Sequence, residues 1–187
     1  MSAQPESYIS PEQYLADEQN RPDGEKYEYV NGQIYAMAGA SRNHNRTTGI
    51  LFARLFNHLE NTACEVFQSD MKVGIPTLRD DTRFYYPDIQ VSCDEEDEAY
   101  FNRSPCLIIE VLSESTAKTD RTEKLLAYQR IESLQEYVLF SQDSPYVELY
   151  RRSAGWEAEF YTTGQQFMLE SVELAVAVDD VYRFLKP

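Results

Sequence analysis

The run Cys106-Leu107-Ile108-Ile109-Glu110-Val111-Leu112 constrains the fold more than any other stretch of the chain. Six uncharged residues, most of them leucine or β-branched, enclose one carboxylate. A strand that is apolar on both faces is covered on both faces, which implies a layered domain. A carboxylate inside such a strand costs free energy unless a partner, a cation or a proton accompanies it. Glu110 therefore poses a question that the rest of the chain has to answer.

The surrounding pattern is that of an α/β chain. Ser10-Pro11-Glu12-Gln13 reads as a helix start, with Ser10 as N-cap, Gln13 as capping-box partner and Ile9 stapled to Tyr14. That helix stops at the turn cluster 20–24. Asn31-Gly32, between Tyr27–Val30 and Gln33–Met37, predicts a hairpin with Glu28 on its first strand. Read alone, Glu28 is a solvent-facing carboxylate. A helix is predicted over 43–61 from Thr48, Leu51, Leu55 and Leu59, with His44 at the near end of the same stripe and His58 at the surface. Residues 64–75 read as one half-buried strand that Pro76 ends, followed by a polar loop over 77–83. Residues 84–93 read as another strand, with Pro87 marking a bulge, an edge or a start. The acidic run Asp94 to Glu98 is a solvated loop rather than a calcium site.

After the central strand, Asp120 and Glu123 resemble a cap and its box partner, opening a helix to about Ile131. A strand over 134–140 follows, so strand, helix and strand imply a right-handed crossover and a parallel pair. A hairpin turning near Ala154-Gly155, a short strand over 167–169 and a last helix capped by Asp179 or Asp180 and ending at Leu185 complete the reading. With 187 residues, 42% of them apolar, the chain is expected to form a single domain over 1–187 with a mixed sheet, and 1–8 as a loose tail.

Composition narrows the function. The formal charge of −15 keeps the chain in solution and repels bulk nucleic acid, so a phosphate substrate would need a metal or a local basic strip. No apolar run reaches membrane-spanning length, and 1–6 lacks a basic region and a signal core, so no membrane association is expected. Cys64, Cys93 and Cys106 are odd in number and lack CxxC spacing, which favours reduced thiols and a cytoplasmic location over a disulfide frame or a zinc site.

Asp88 follows Pro87 on one strand, and Glu110 stands on the next. Neighbouring strands would bring both carboxylates to one face, where they repel unless one keeps a proton or a divalent cation joins them. All-oxygen donors suit Mg²⁺ or Mn²⁺. Lys124, one helix later, is placed to reach back over the strand ends. Each residue also has an ordinary role open to it. Asp88 can end a turn, Lys124 can pair with Asp120 on the surface, Asp120 can cap a helix, and Tyr128 can be packing. Glu110 is the hardest to explain that way.

Pro-Asp, then a strand carrying Glu, then a Lys is the outline of the PD-(D/E)xK nucleases. Tyr27-Glu28-Tyr29-Val30-Asn31-Gly32, Ser69-Asp70-Met71-Lys72-Val73, Tyr86-Pro87-Asp88 and Glu110-Val111-Leu112-Ser113 resemble segments of the bacterial Uma family. Asp120-Arg121-Thr122-Glu123-Lys124 and Leu134-Gln135-Glu136-Tyr137-Val138-Leu139 do so as well. The resemblance runs from about residue 8 to the end. It implies a restriction-endonuclease-like mixed sheet flanked by helices with added β-hairpins, and a Mg²⁺- or Mn²⁺-dependent endonuclease acting on DNA, often as a homodimer. By the same resemblance Asp88, Glu110 and the Val111 carbonyl are metal ligands, Glu28 is the upstream acid and Lys124 the catalytic amine. Lys72 is a second candidate for the amine, and His44 a further site residue. The superfamily expects its lysine two residues after the second acid, where this chain has Leu112. That departure keeps a non-catalytic nucleic-acid- or protein-binding module as the alternative. Arg42, Arg46, Arg121, Arg151 and Arg152 are candidate DNA contacts, and the tyrosine-rich C-terminal hairpins a candidate dimer surface.

Overall fold

The computed structural model describes residues 8–21, 25–37, 39–78 and 81–185; residues 1–7 of the expected 1–8 tail and most of the turn cluster lie outside them. Two mixed sheets carry the architecture. The first has the order β2-β1-β5-β4-β7, formed by β1 (Tyr27–Val30), β2 (Gln33–Ala36), β4 (Lys72–Leu78), β5 (Asp81–Tyr85) and β7 (Phe101–Asn102). The second has the order β11-β10-β9-β8-β6-β3. Its strands are β3 (Glu65–Gln68), β6 (Ile89–Ser92), β8 (Pro105–Leu112), β9 (Glu136–Ser141), β10 (Tyr146–Arg151) and β11 (Ala158–Thr162). A two-stranded sheet of β12 (Gln166–Leu169) and β13 (Leu174–Ala177) lies beyond. Within the second sheet β8 and β9 run parallel, as the crossover requires, and β6 and β8 antiparallel.

The first helix, α1 (Pro11–Asn20), is capped by Ser10, whose Oγ accepts from Gln13 N at 3.2 Å. The Gln13 side chain does not complete the box; it donates to Asp17 instead. Ile9 packs against the Tyr14 cluster, as the staple predicts. The Asn31-Gly32 turn has positive φ at both residues (45° and 90°), the backbone that a two-residue hairpin needs. Helix α2 (Arg42–Leu59) is capped by Ser41 and packs Leu51, Leu55 and Leu59 on one face of β8, against Leu107, Ile109 and Val111. The His58 ring reaches the Val172 carbonyl at 2.8 Å.

Every residue of β8 is buried. Its second face carries Ile108 and Leu112 into a separate core with Val73, Tyr85, Tyr128 and Tyr137. A third cluster, Tyr14, Tyr29, Phe84 and Phe101, holds α1 to the first sheet.

Several expected elements divide. The stretch 64–75 is two strands, because the chain turns at Ser69 (φ 47°) and passes from the second sheet to the first. Along β4, Lys72 to Ile75 are all buried, so that strand is covered on both faces. Pro76 does not end it, since β4 continues to Leu78 with an irregular register and pairs with β5 where a loop was expected. The stretch 84–93 divides at Tyr86-Pro87-Asp88, where the chain returns to the second sheet. The acidic run folds back through Glu96, which accepts from Arg103 N and Ser104 N.

The crossover helix starts earlier than expected. It comprises α3 (Ala117–Thr119), one π turn (Asp120–Lys124) and α4 (Leu125–Tyr128). Helix α5 (Val178–Tyr182) lacks the expected aspartate cap; Asp179 accepts from Gly164 N, and Asp180 pairs with Arg54. The cysteines also differ from expectation. Cys64 and Cys93 form a disulfide, and Cys106 is a buried free thiol. Position 64 precedes β3 and 93 follows β6, so the β3–β6 pairing brings them together. Among the described residues, no helix is long and apolar enough to cross a membrane.

Candidate active site

The site forms where the chain passes between the two sheets. Ser69 N donates to the Asp88 carbonyl at 3.2 Å, so both passages lie side by side. Ile89 faces Ile109 across the β6–β8 ladder, which sets Asp88 beside Glu110 and Val111. Val111 N donates to Asp88 Oδ2 at 2.7 Å. The same oxygen lies 3.2 Å from His44 Nε2, delivered by the first turn of α2. Burial works against a charged His44 ring, but Asp88 and a backbone hydrogen bond at Val111 outweigh it and raise its pKa.

Glu110 projects from the other side of the same stretch. Its Oε1 accepts from Lys124 Nζ at 3.1 Å and from Tyr128 OH at 3.0 Å. Lys124 Nζ also lies 2.9 Å from Glu28 Oε1 and 3.6 Å from Asp120 Oδ1. Glu28 is placed by β1, and its Oε1 accepts from Tyr86 N at 3.2 Å. It is therefore not the solvent-facing residue its strand suggests. Tyr85, Tyr128 and Tyr137 wall this nest, with Lys124 Nζ 5.4 Å over the Tyr85 ring.

Burial holds the Glu110 carboxyl well above its ordinary range, with Lys124 opposing and the neighbouring acids reinforcing. Asp120 is raised for the same reasons, burial first. Burial also disfavours the Lys124 charge, but Glu110, Glu28 and Asp120 overcome it and raise its pKa well above normal. The nest thus has more acid than base, and Glu110 and Asp120 hold their protons to higher pH than usual.

The structure brings together Glu28, Asp88, Glu110, Lys124 and His44. It keeps Lys72 apart: its ammonium donates to Tyr86 OH at 3.2 Å, and burial lowers its pKa. Leu112 shares the Glu110 face but packs in the second core, so the amine arrives from the crossover. Asp120, expected as a cap, lies inside the crossover helix and is 1% exposed. Its signal was its place four residues before Lys124, on the same helix face. Tyr128 is packing, as expected, and also a hydrogen-bond donor to Glu110.

Of the candidate DNA contacts, Arg151 is spent on Glu136 and Glu159, and Arg152 on the Leu134 and Ile131 carbonyls. Arg121 forks onto Glu148. Arg42 and Arg46 stay exposed on the first turns of α2, with the Arg46 guanidinium over the Phe184 ring.

The donor set fits a hard divalent cation in its chemistry, since it is rich in carboxylate oxygen, exceeds its base in charge and leaves Asp120 Oδ1 buried without a hydrogen bond. Among the described residues, no three His, Cys, Asp or Glu converge on one metal-sized point. The Lys124 ammonium stands between Glu28 and Glu110 instead.

Residues 11–179 match the profile of the family described as "Uma2: Putative restriction endonuclease". Two relatives come from Synechocystis sp. "Uncharacterized protein slr1290" is 39% identical over 181 residues, covering 95% of this chain and 93% of the relative. "Uncharacterized protein sll1609" is 37% identical over 132 residues, covering 68% of this chain and 73% of the relative. Among solved structures, "a putative nuclease belonging to DUF820" from Anabaena variabilis superposes with a TM-score of 0.73 at 20% identity. That match covers 95% of this chain and 99% of the other and shows a shared nuclease-like fold.

Proposed function

The chain belongs to the Uma2 family, and from that premise we propose that it is a metal-dependent endonuclease hydrolysing phosphodiester bonds in DNA, with residues 1–187 acting as one domain. The observation that carries the proposal is the Glu110 nest. A buried carboxylate on the central strand shares an ammonium with Glu28, one ladder position from Asp88. Burying such a cluster without full compensation is destabilising, and clusters of this kind recur at functional sites.

Asp88, Glu110, the Val111 carbonyl and Glu28 would hold Mg²⁺ or Mn²⁺, which when bound supplies Lewis acidity and a lowered pKa for an attacking water. The chain's own groups do the rest. Lys124 offers its ammonium to charge developing on the phosphate, in a pocket whose tyrosine walls exclude water. Tyr128 OH and Val111 N fix the two acids by hydrogen bonds. His44 holds the oxygen of Asp88 that Val111 N also engages. Exposed Arg42 and Arg46 are the proposed phosphate contacts. A homodimer across the outer strand β11, where exposed Phe160 stacks on Tyr146, completes the proposal.

A second reading, a binding module that keeps the fold without catalysis, is favoured by one observation: Lys124 is held by two carboxylates, and among the described residues no three His, Cys, Asp or Glu converge on one metal-sized point. A plasmid-nicking assay with Mg²⁺ or Mn²⁺ separates the two. Cleavage is expected from the wild type. Asp88→Ala and Glu110→Ala should abolish it, and Lys124→Met should slow it by roughly 10²–10³-fold. A wild type that does not cut favours the binding module; cutting that survives both acid substitutions rejects this site.

A further inference from the structure

Lys124 has three protons to donate and two acceptors at hydrogen-bonding distance, Glu28 Oε1 at 2.9 Å and Glu110 Oε1 at 3.1 Å. A third carboxylate oxygen, Asp120 Oδ1, lies 3.6 Å away. That oxygen is buried and receives no hydrogen bond. An acceptor left in that state is destabilising, yet it sits beside a group with a proton to give. The π turn explains how. Asp120 and Lys124 are its first and last residues, and both side chains turn inward. Such single π turns recur at functional sites.

A divalent cation and the ammonium would compete for the same oxygens. Glu110 and Glu28, if they held such a cation, would no longer be free to accept from Lys124. Without another partner the ammonium would have to leave a pocket that keeps it almost wholly from water. Asp120 supplies that partner without any change of backbone, because the distance to close is already short.

We propose that Asp120 is a positioning residue that receives the Lys124 ammonium when a divalent cation takes Glu110 and Glu28, so that lysine and metal occupy the site together. The proposal rests on the metal-dependent reading of the site. It assigns Asp120 no bond to the metal; the residue acts through Lys124.

Two measurements test it. In a structure of the wild-type protein with Mn²⁺, Lys124 Nζ is expected at hydrogen-bonding distance from Asp120 Oδ1 and released from Glu110 Oε1. An ammonium still on Glu110, or Asp120 in the coordination shell, overturns the proposal. In calorimetric titration with Mn²⁺ alone, Asp120→Asn should weaken binding by roughly ten-fold, the scale on which groups behind metal ligands act. In a Lys124→Met background the same substitution should change affinity less than about two-fold, because the coupled partner is gone. Equal losses in both backgrounds overturn the proposal and leave the metal site standing. A wild type that binds no Mn²⁺ removes the metal site and this proposal with it.

Discussion

Glu110 shares one oxygen between the Lys124 ammonium and the Tyr128 hydroxyl, while Glu28 and Asp120 lie round the same ammonium. One positive charge does not neutralise three negative ones, and burial sharpens the imbalance. The folded Glu110 therefore holds its proton above the ordinary value of 4.5, burial being the main cause. The sign follows from linkage. A folded pKa raised above the unfolded one means that folding takes up a proton, so this contribution is complete below the unfolded value and declines as pH rises toward the folded one. Urea melts from about pH 5 to about pH 8 should show Glu110→Gln gaining on the wild type as pH rises. A gap that stays level or narrows would contradict the assignment. The comparison cancels Asp81 and Glu159, whose lowered values act in the opposite sense in both proteins. Glu110 was readable from sequence because every neighbour argues for burial. Asp120 was not, because an aspartate three residues before a glutamate is also the mark of a helix start. Here the helix had already begun at Ala117, which turned Asp120 inward.

The parallel pair β8–β9 and its crossover were legible in the sequence, since two apolar runs about twenty residues apart leave few other connections. The passages between sheets were not. Alternation of apolar and polar residues reports which side of a strand is buried, not which sheet it joins. Thus 84–93 looks continuous although Pro87 marks the point where the chain changes partners. That change puts Asp88 on a junction, free of ladder duty, with its carboxylate turned to Val111 N. The cysteine pairing was equally hidden, because Cys64 and Cys93 are 29 residues apart and meet only through the β3–β6 ladder. Peptide mapping without reductant should find them joined and Cys106 as the free thiol. Cys106 should resist alkylation until the protein unfolds, since burial pushes its pKa up to about 11. Replacing Cys64 and Cys93 by serine should cost about 2–4 kcal/mol in denaturant unfolding. Free alkylation of Cys64 or Cys93 in the native protein would refute the bridge.

Across the whole molecule, the charge of −15 opposes approach to any polyanion, while the exposed Arg42 and Arg46 on α2 offer only a small local attraction. If the global field dominates, stopped-flow association with duplex DNA should accelerate as salt rises from about 0.01 M to about 0.15 M, because repulsion is screened. A rate that falls with salt would show that the local arginines govern the encounter. The division into two sheets has a further consequence, in the order of assembly. Glu110 and Lys124 belong to one strand–crossover unit, fourteen residues apart, whereas Glu28 comes from β1 in the other sheet. Contacts near in sequence form ahead of distant ones. The acid–lysine pair needs only its own strand–crossover unit, and the third acid joins it only where the two sheets meet. The full constellation is a property of the finished molecule.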